Sequence, residues 1–486
     1  MQKPSALIEG PIGRQLLLFS LPILAGNIAQ SLNSSINAIW VGHYLGETAL
    51  TAAANANSII FFVLGSVFGI GIAATILIGQ AIGRNDMAQA RRIMGTSTSF
   101  FIGISVLIAA SGWWLARHLL AAMGTSAASL PLAEAYLQVF FLAMPLLYTF
   151  GFVAAALRGT GDARTPFRFL MLSVALDIGL NPLLLFGLGP FPRLGIAGAA
   201  WATLIAQGVA LIGLLLYLRH KRHVLWLGRH DLHLFRVDLP ILRALVVKGL
   251  PMGLQMTLIS LAMIVLISLV NTYGTDTSAA YGAALQLWSY LQMPAMAIGV
   301  ACSSMAAQNV GAQRWDRVAA IARKGLLFNF LMTGALIAPL ILLDRWTLAL
   351  FLPPHSAALE IARHLNHITL WSFLFFGVTF VISGVVRSTG AVIPPLLILA
   401  LALWGIRVPF AQLLQPHLGV EAVWWSFPIS SICAMLLSLA YYRWGNWRKA
   451  RMLAQPSLDT AAHPTNVATQ VTATVVVGTT TPDPTR

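Results

Sequence analysis

Leu21-Pro22-Ile23 opens a long apolar segment, and Leu250-Pro251-Met252 opens a second one 229 positions later. Two more pairs of motifs recur at nearly the same distance: Gln80-Ala81-Ile82-Gly83 with Gln308-Asn309-Val310-Gly311, and Arg158-Gly159-Thr160-Gly161 with Arg387-Ser388-Thr389-Gly390. A spacing that is kept over more than a hundred residues indicates that the chain carries one structural unit twice. Two similar membrane bundles that share an interface are a common way to build an alternating-access carrier.

The composition is that of a membrane protein. Apolar residues make up 58% of the 486 residues and charged residues only 9%, whereas soluble domains have roughly 25% charged residues. Apolar runs of about twenty residues are typical of transmembrane helices. We therefore predict an all-α membrane protein with twelve spans, six in each repeat. The predicted spans are 15–41, 49–79, 93–115, 134–157, 167–189, 196–218, 244–270, 279–309, 325–343, 361–386, 392–414 and 421–443.

The repeats predict two lobes joined by a basic linker. We expect a cytoplasmic N-terminus at 1–14, lobes at 15–218 and 244–443, and a cytoplasmic linker at 219–243 that is solvated and faces lipid headgroups. The last segment, 444–486, is expected to be a cytoplasmic tail that is disordered after about 455, because it lacks apolar periodicity.

The net charge of +15 is unevenly distributed. Most of the 30 Lys and Arg residues lie in segments on the side of the N-terminus, which is the positive-inside pattern of a multi-pass protein of the cell (inner) membrane with both termini cytoplasmic. The basic residues are thus expected to contact anionic lipid and not nucleic acid. Cys302 and Cys433 both lie in predicted spans, and the linker histidines lack a regular ligand spacing. We expect no cofactor, no structural metal and a monomer.

Several short motifs are similar to those of one transporter family. They cover about residues 15–445 in a specific order. They are Leu21-Pro22, Val41-Gly42-His43, Gly79-Gln80-Ala81-Ile82-Gly83, Leu157-Arg158-Gly159-Thr160-Gly161-Asp162, Thr165-Pro166, Asn181-Pro182, Gly195 to Trp201 and Arg407-Val408-Pro409. Together they resemble the multidrug and toxin extrusion (MATE) family. The resemblance implies a V of two six-helix lobes around a central cavity, and export of bulky, amphipathic, often cationic compounds coupled to Na⁺ or H⁺.

One acidic residue is placed deep in a predicted span. The other fourteen of the 15 Asp and Glu residues fall in predicted inside segments or near outer span ends, whereas Asp177 lies well inside the fifth span. An ionisable group at that depth costs at least about 2.5–3.5 kcal/mol on insertion scales and is a functional candidate by default. The alternative is an Asp that neighbouring amides satisfy and that only holds the lobe together.

Polar residues near Asp177 form a candidate cation-coupling site. Asn181 lies on the same helical face as Asp177. Asn37 belongs to a polar stripe on the first span with Asn27, Gln30 and Ser34, and Thr203 lies on the sixth span. Such residues also serve as packing contacts between membrane helices. We predict Asp177, Asn181, Asn37 and Thr203 as the coupling group.

The resemblance also implies differences from other family members. Members usually carry an Asp where this chain has Asn37, and the fifth helix has Asp177 before Asn181 in reversed order. The acids that the family uses in the seventh and tenth helices have no counterpart here. A single carboxylate favours H⁺ over Na⁺, because burial disfavours its ionised form whereas Na⁺ needs several oxygen ligands.

A second set of residues is predicted to line a substrate cavity: Gln30, Gln207, Gln255, Gln286, Tyr290, Trp371 and Arg407. Each has the alternative of packing or facing lipid, and Arg407 that of pairing with backbone carbonyls or snorkelling. Pro22 is predicted to let the first helix bend, with a plain role at the helix start as the alternative.

Two other functions stay open. A flippase for a lipid-linked oligosaccharide would need several cations in its cavity, where only Arg407 is clearly inside a span. An intramembrane enzyme would need a second titratable group beside Asp177.

Overall fold

The computed structural model describes residues 6–187, 191–353 and 355–453. The described part of the first half contains six long helices, α1 to α6: Ile12–Leu45, Glu47–Gly83, Met87–Ala122, Leu130–Thr160, Arg164–Phe186 and Ile196–His220. The second half contains six corresponding helical segments, α7 to α12: Leu239–Asn271, Thr275–Leu291 with Met293–Gly311, Trp315–Leu342, Ala357–Thr369 with Ser372–Arg387, Ile393–Leu413 and Glu421–Trp444. By length and apolar composition, ten of these described helices could cross a membrane, or eleven if the bent pair of α10 is one span; α8 is the exception. The two sets of six segments confirm the predicted all-α fold. The predicted disorder after about 455 concerns a segment outside the described residues.

The two halves repeat each other closely. Span α2 covers Glu47–Gly83 and span α8 covers Thr275–Gly311, so both ends of α8 lie 228 positions after those of α2. The glycines that precede α6 and α12 also match, because Gly195 has φ 57° and ψ −138° and Gly419 has φ 58° and ψ −138°. This left-handed backbone conformation is readily available to glycine.

Several helices extend beyond the apolar runs that predicted them. Asp86 caps α3, since its carboxylate accepts a hydrogen bond from the Gln89 backbone N–H at 2.9 Å. Asp238 caps α7 in the same way through Ile241 at 3.3 Å. Apolar runs report only the membrane-embedded part of a helix, whereas polar caps set its ends. Because α1 begins at Ile12, Pro22 lies in the helix interior and not near the helix start, where the alternative to the predicted bending role had placed it.

The second half is less regular than the first. Span α8 is interrupted at Gln292, and the two parts of α10 are bent by 46°. Span α11 contains a π-helical segment, Leu401–Arg407, where the first-half counterpart α5 is continuous. Such segments are rare and often occur at functional sites.

The lobes meet at the ends of α2 and α8, in what we call the interlobe crossing. It comprises Gln80 and Gly83 of α2 with Gln308 and Gly311 of α8. A Cβ atom at Gly83 would lie 2.0 Å from the Gln308 backbone oxygen, and one at Gly311 would lie 2.2 Å from that of Gln80. Only glycine permits this approach.

Two reciprocal hydrogen bonds join the lobes at the crossing. The Gln80 side chain donates to the Ser388 carbonyl of the second lobe at 2.6 Å, and the Gln308 side chain donates to the Gly159 carbonyl of the first lobe at 2.8 Å. At the opposite end of the second lobe, a buried cluster from Leu266 to Phe427 draws all its described residues from the second half. The lobes are therefore closed at the end predicted to be cytoplasmic.

The linker packs against the first lobe and is not merely solvated as predicted. It forms a short helix, Arg229–Phe235, next to α3. Arg91 of α3 pairs with Asp231, and the Ser99 hydroxyl donates to the Phe235 carbonyl at 2.7 Å. The Gly228 backbone N–H and then Arg91 hold the pKa of Asp231 below its usual range. The linker is thus anchored to the end of the first lobe.

Candidate functional site

Asp177 lies inside the first lobe, where α5 packs against α1 and α6. It is only 2% exposed. Within the described part of the chain, no lysine, arginine or histidine pairs with its carboxylate. A buried carboxylate without a cationic partner needs strong hydrogen-bond donors.

Three neutral side chains supply those donors. The Asn33 amide donates to Oδ2 of Asp177 at 2.6 Å and the Asn37 amide donates to the same oxygen at 3.2 Å. The Thr203 hydroxyl donates to Oδ1 at 3.2 Å. The Asn181 amide donates to Oδ1 of Asn37 at 2.6 Å. The structure thus brings all four predicted coupling residues together, with α1, α5 and α6 each contributing.

Asn33 was missed by the sequence analysis. The predicted stripe on α1 ran through Asn27, Gln30, Ser34 and Asn37, and Asn33 falls between its members. Asn33 lies four residues before Asn37, so both amides project from one face of α1 toward α5. That spacing was the available signal.

Two amide oxygens of the site lack a hydrogen-bond partner in the part of the chain that the structure describes. Oδ1 of Asn33 and Oδ1 of Asn181 are buried without a hydrogen bond among the described residues. A buried acceptor without a hydrogen bond lowers the stability of the folded protein. The two amide oxygens can accept a hydrogen bond from a protonated carboxyl group, or they can ligate a small cation.

The predicted cavity residues do not form one group. Gln30, Gln286 and Trp371 are exposed and Tyr290 is half-buried.

Gln207 and Gln255 are instead buried in hydrogen bonds within their own lobes. Gln207 accepts from Ser173 at 3.1 Å. Gln255 of α7 accepts from Arg387 of α10 at 3.1 Å. In this arrangement the accepting oxygens of these two glutamines serve packing between helices, and their role in a substrate cavity stays a prediction.

Arg407 lines a cavity inside the second lobe. The cavity has a volume of about 80 Å³ and lies between α7, α8, α10, α11 and α12. The Arg407 Nε–H donates to the Ser430 hydroxyl at 2.8 Å, and an Nη donates to the Ser431 hydroxyl at 3.3 Å. Its guanidinium carbon lies 4.4 Å from the centre of the Phe427 ring. Among the described residues, the hydrogen bonds of Arg407 go to serine hydroxyls and not to the backbone carbonyls of the alternative prediction.

The comparison with known families decides the identity of the chain. A family model described as MatE matches residues 22–183 and 251–413. The chain belongs to the multidrug and toxin extrusion (MATE) family. The two matched segments correspond to the two repeats.

Individual relatives agree with this assignment. The MATE chain is 35% identical over 443 residues to "Probable multidrug resistance protein YoeA" of Bacillus subtilis (strain 168), covering 91% of this chain and 95% of that protein. It is 32% identical over 454 residues to "Probable multidrug resistance protein YpnP" of the same organism, covering 92% and 98%. Its family is therefore one of multidrug efflux transporters, which move small molecules across membranes.

A solved structure supports the fold. An outward-facing multidrug resistance MATE family transporter of the MOP superfamily superimposes with a TM-score of 0.84, covering 91% of this MATE chain and 98% of that chain. At 22% sequence identity, this likeness bears on the fold alone.

Proposed function

We propose that this protein is a proton-coupled antiporter that exports bulky amphipathic compounds, often cationic, with Asp177 as the proton carrier. The observation that carries the proposal is the enclosure of one buried carboxylate of α5 by three donors from two neighbouring helices, α1 and α6, with no cation among the described residues to neutralise it. Such a group changes its interactions strongly when it gains a proton.

Protonation would alter the contacts between α1 and α5. The ionised carboxylate holds the Asn33 and Asn37 amides by charge-assisted hydrogen bonds, which are roughly twice as strong as neutral ones. Loss of the charge weakens both bonds, so that α1 can repack against α5. Pro22 lies inside α1 and lacks an N–H, which leaves the Leu18 carbonyl without its helical donor. Pro22 would thus let α1 bend at this point, which is its predicted role.

The transport cycle then alternates between two arrangements. The present arrangement is closed at the interlobe crossing, and it takes up the proton from outside as substrate leaves. The crossing opens when the lobes rock inward, and the proton is released to the cytoplasm. We expect both termini to be cytoplasmic, because the basic segments lie at the closed end. We also expect the protein to be a monomer in the cell membrane.

Na⁺ is the second candidate for the coupling ion. The partnerless oxygens of Asn33 and Asn181 favour it, because hard cations bind several oxygen ligands. With Asp177, Asn37 and Thr203, five side chains would be available after rotation of the amides. Against this, Asp177 is the single carboxylate of the site, so a bound Na⁺ lacks the second negative charge that strengthens such sites.

Two other functions have less support. A lipid-linked oligosaccharide flippase would need several cavity cations, whereas Arg407 is the one charged residue that lines the second-lobe cavity. For an enzyme, no described acid, histidine or basic residue bonds to Asp177.

The test is dye export in proteoliposomes. Purified protein is reconstituted, and ethidium movement is followed under an imposed pH gradient and, separately, under an imposed Na⁺ gradient. We expect the imposed pH gradient to drive ethidium export, and the imposed Na⁺ gradient not to drive it. Movement under the Na⁺ gradient only would assign Na⁺ as the coupling ion, and movement under neither would overturn the proposal.

A further inference from the structure

We propose that the cavity at Arg407 binds the acidic group of aromatic amphipathic compounds, such as a carboxylate or sulfonate. The inference rests on the proposed export function only in treating these ligands as transport substrates. It adds to the cationic compounds expected above a class of substrates that are anionic or zwitterionic.

No described residue neutralises the positive charge of Arg407. Among the described residues, no carboxylate forms an ion pair with it. Its two hydrogen bonds go to the neutral hydroxyls of Ser430 and Ser431, although a guanidinium has five N–H donors. The remaining donors are available to a ligand. A planar guanidinium matches a carboxylate or sulfonate with two parallel hydrogen bonds.

The rest of the cavity suits a flat apolar ligand. Trp288, Phe373, Phe376, Phe380 and Phe427 all line it. Aromatic rings stack on flat ligands and give large contact areas. The cavity therefore combines apolar walls with a single cation that fixes orientation, which is the usual composition of small-molecule sites.

The internal repeat relates Arg407 of the second lobe to Asp177 of the first lobe. The start of α11 lies 229 positions after the start of α5, which places Asp177 opposite Ile406. The π-helical segment that ends at Arg407 accommodates an additional residue, because its bonds span five residues and not four. Arg407 thus occupies the repeat position of Asp177, with the opposite charge.

The neighbours of the two charges correspond as well. Thr203 lies eight residues after Gly195, and Phe427 lies eight residues after Gly419. Thr203 donates to Asp177, while Phe427 stacks on Arg407. Placing a cationic side chain inside a membrane span costs free energy. A neutral side chain could make the structural contact with the two serines without that cost. The duplicated position has therefore become an anion site.

The inference is tested by binding, in the absence of any gradient. Protein in nanodiscs is equilibrated by dialysis with naphthalene-2-carboxylate or with the neutral, nearly isosteric naphthalene-2-carboxamide. Empty nanodiscs correct for partition into lipid. We expect wild-type protein to prefer the carboxylate by about tenfold, from hydrogen bonds between charged groups. Equal saturable binding of the two compounds would overturn the inference.

Variants assign the preference to Arg407. Arg407→Gln is expected to abolish it, and Arg407→Lys to retain part of it because the charge stays. Arg448→Gln is the matched control, since Arg448 also stacks on an aromatic ring, Trp447, but lies outside the cavity. A carboxylate preference that survives in Arg407→Gln refutes the site. If Arg407→Gln does not fold, the wild-type comparison and Arg407→Lys still decide, since an undiminished preference in Arg407→Lys contradicts recognition by the guanidinium fork.

The outcome is separable from that of the proposed function. Binding needs neither a coupling ion nor Asp177. Failure of gradient-driven ethidium export would therefore leave the dialysis result unaffected, and loss of the charge preference would leave proton-coupled export intact.

Discussion

Removal of both crossing glutamines should open the closed end of the protein. In the double variant Gln80→Ala, Gln308→Ala, two side chains that donate across the lobe interface at 2.6 and 2.8 Å are lost. The backbone contacts of Gly83 and Gly311 stay. The substitution thus weakens the closed arrangement without changing either lobe's interior.

The expected shift follows from these two bonds. A side-chain hydrogen bond between membrane helices contributes about 0.6 kcal/mol on average and up to about 1.7 kcal/mol. The Ser388 and Gly159 carbonyls also lose a partner in the buried crossing, and they regain water only when the end opens. We expect a total of about 1–3 kcal/mol, which shifts the equilibrium toward the open form by about 5–150-fold.

The assay is a distance measurement between the lobes. Spin labels are placed at Arg84 and Arg314, which are exposed and follow α2 and α8, in a chain whose Cys302 and Cys433 are replaced by serine. We expect a longer-distance population in the double variant. Gln313→Ala is the control, because the Gln313 side chain bonds to Val310 of its own turn at 3.3 Å. Superimposable distance distributions for wild type and double variant would show that the glutamines do not hold the lobes closed.

Three further predictions follow from the site and the topology. Asp177→Asn should insert and bind ethidium but lose gradient-driven export, because an amide cannot exchange a proton; export at the wild-type rate removes Asp177 from the mechanism. Truncation after residue 455 should leave ethidium export unchanged, and a truncated protein that reaches the membrane without exporting would contradict this. Cysteines introduced singly at 225–235 should resist impermeant maleimides added outside intact cells, and their efficient labelling would reverse the topology.

The fold was predictable because its signals are local and repeated. Apolar runs locate the spans, and motifs such as those ending at Gly83 and Gly311 give the repeat. The ends of the helices were not predictable from hydropathy. Asp86 and Asp238 extend α3 and α7 by capping, and a cap depends on backbone geometry beyond the apolar run.

The site was predictable to the extent that electrostatics dictates it. Asp177 stands out because an acid inside a span must have a reason to be there. Asn33 did not stand out, because the face of α1 that meets α5 depends on how the helices are rotated in the lobe. The same limit explains why Gln207 and Gln255 were predicted to line a cavity although their side chains bond to neighbouring helices. A polar residue on an apolar helix can point to a cavity or to a neighbouring helix, and periodicity does not distinguish the two.

If Asp177 exchanges the coupling ion and Arg407 binds the substrate, ion coupling lies in the first lobe and substrate binding lies in the second. Asp177 contacts helices of the first lobe and Arg407 contacts helices of the second, so neither charge senses the other directly. Coupling can pass through the contacts between the lobes, most of which join α1 and α2 with α7 and α8. Because coupling is reciprocal, a substrate that changes proton affinity at Asp177 must itself bind differently when Asp177 is protonated. The interlobe crossing is part of this connection, and loosening its glutamines should therefore weaken coupling while both binding sites remain intact.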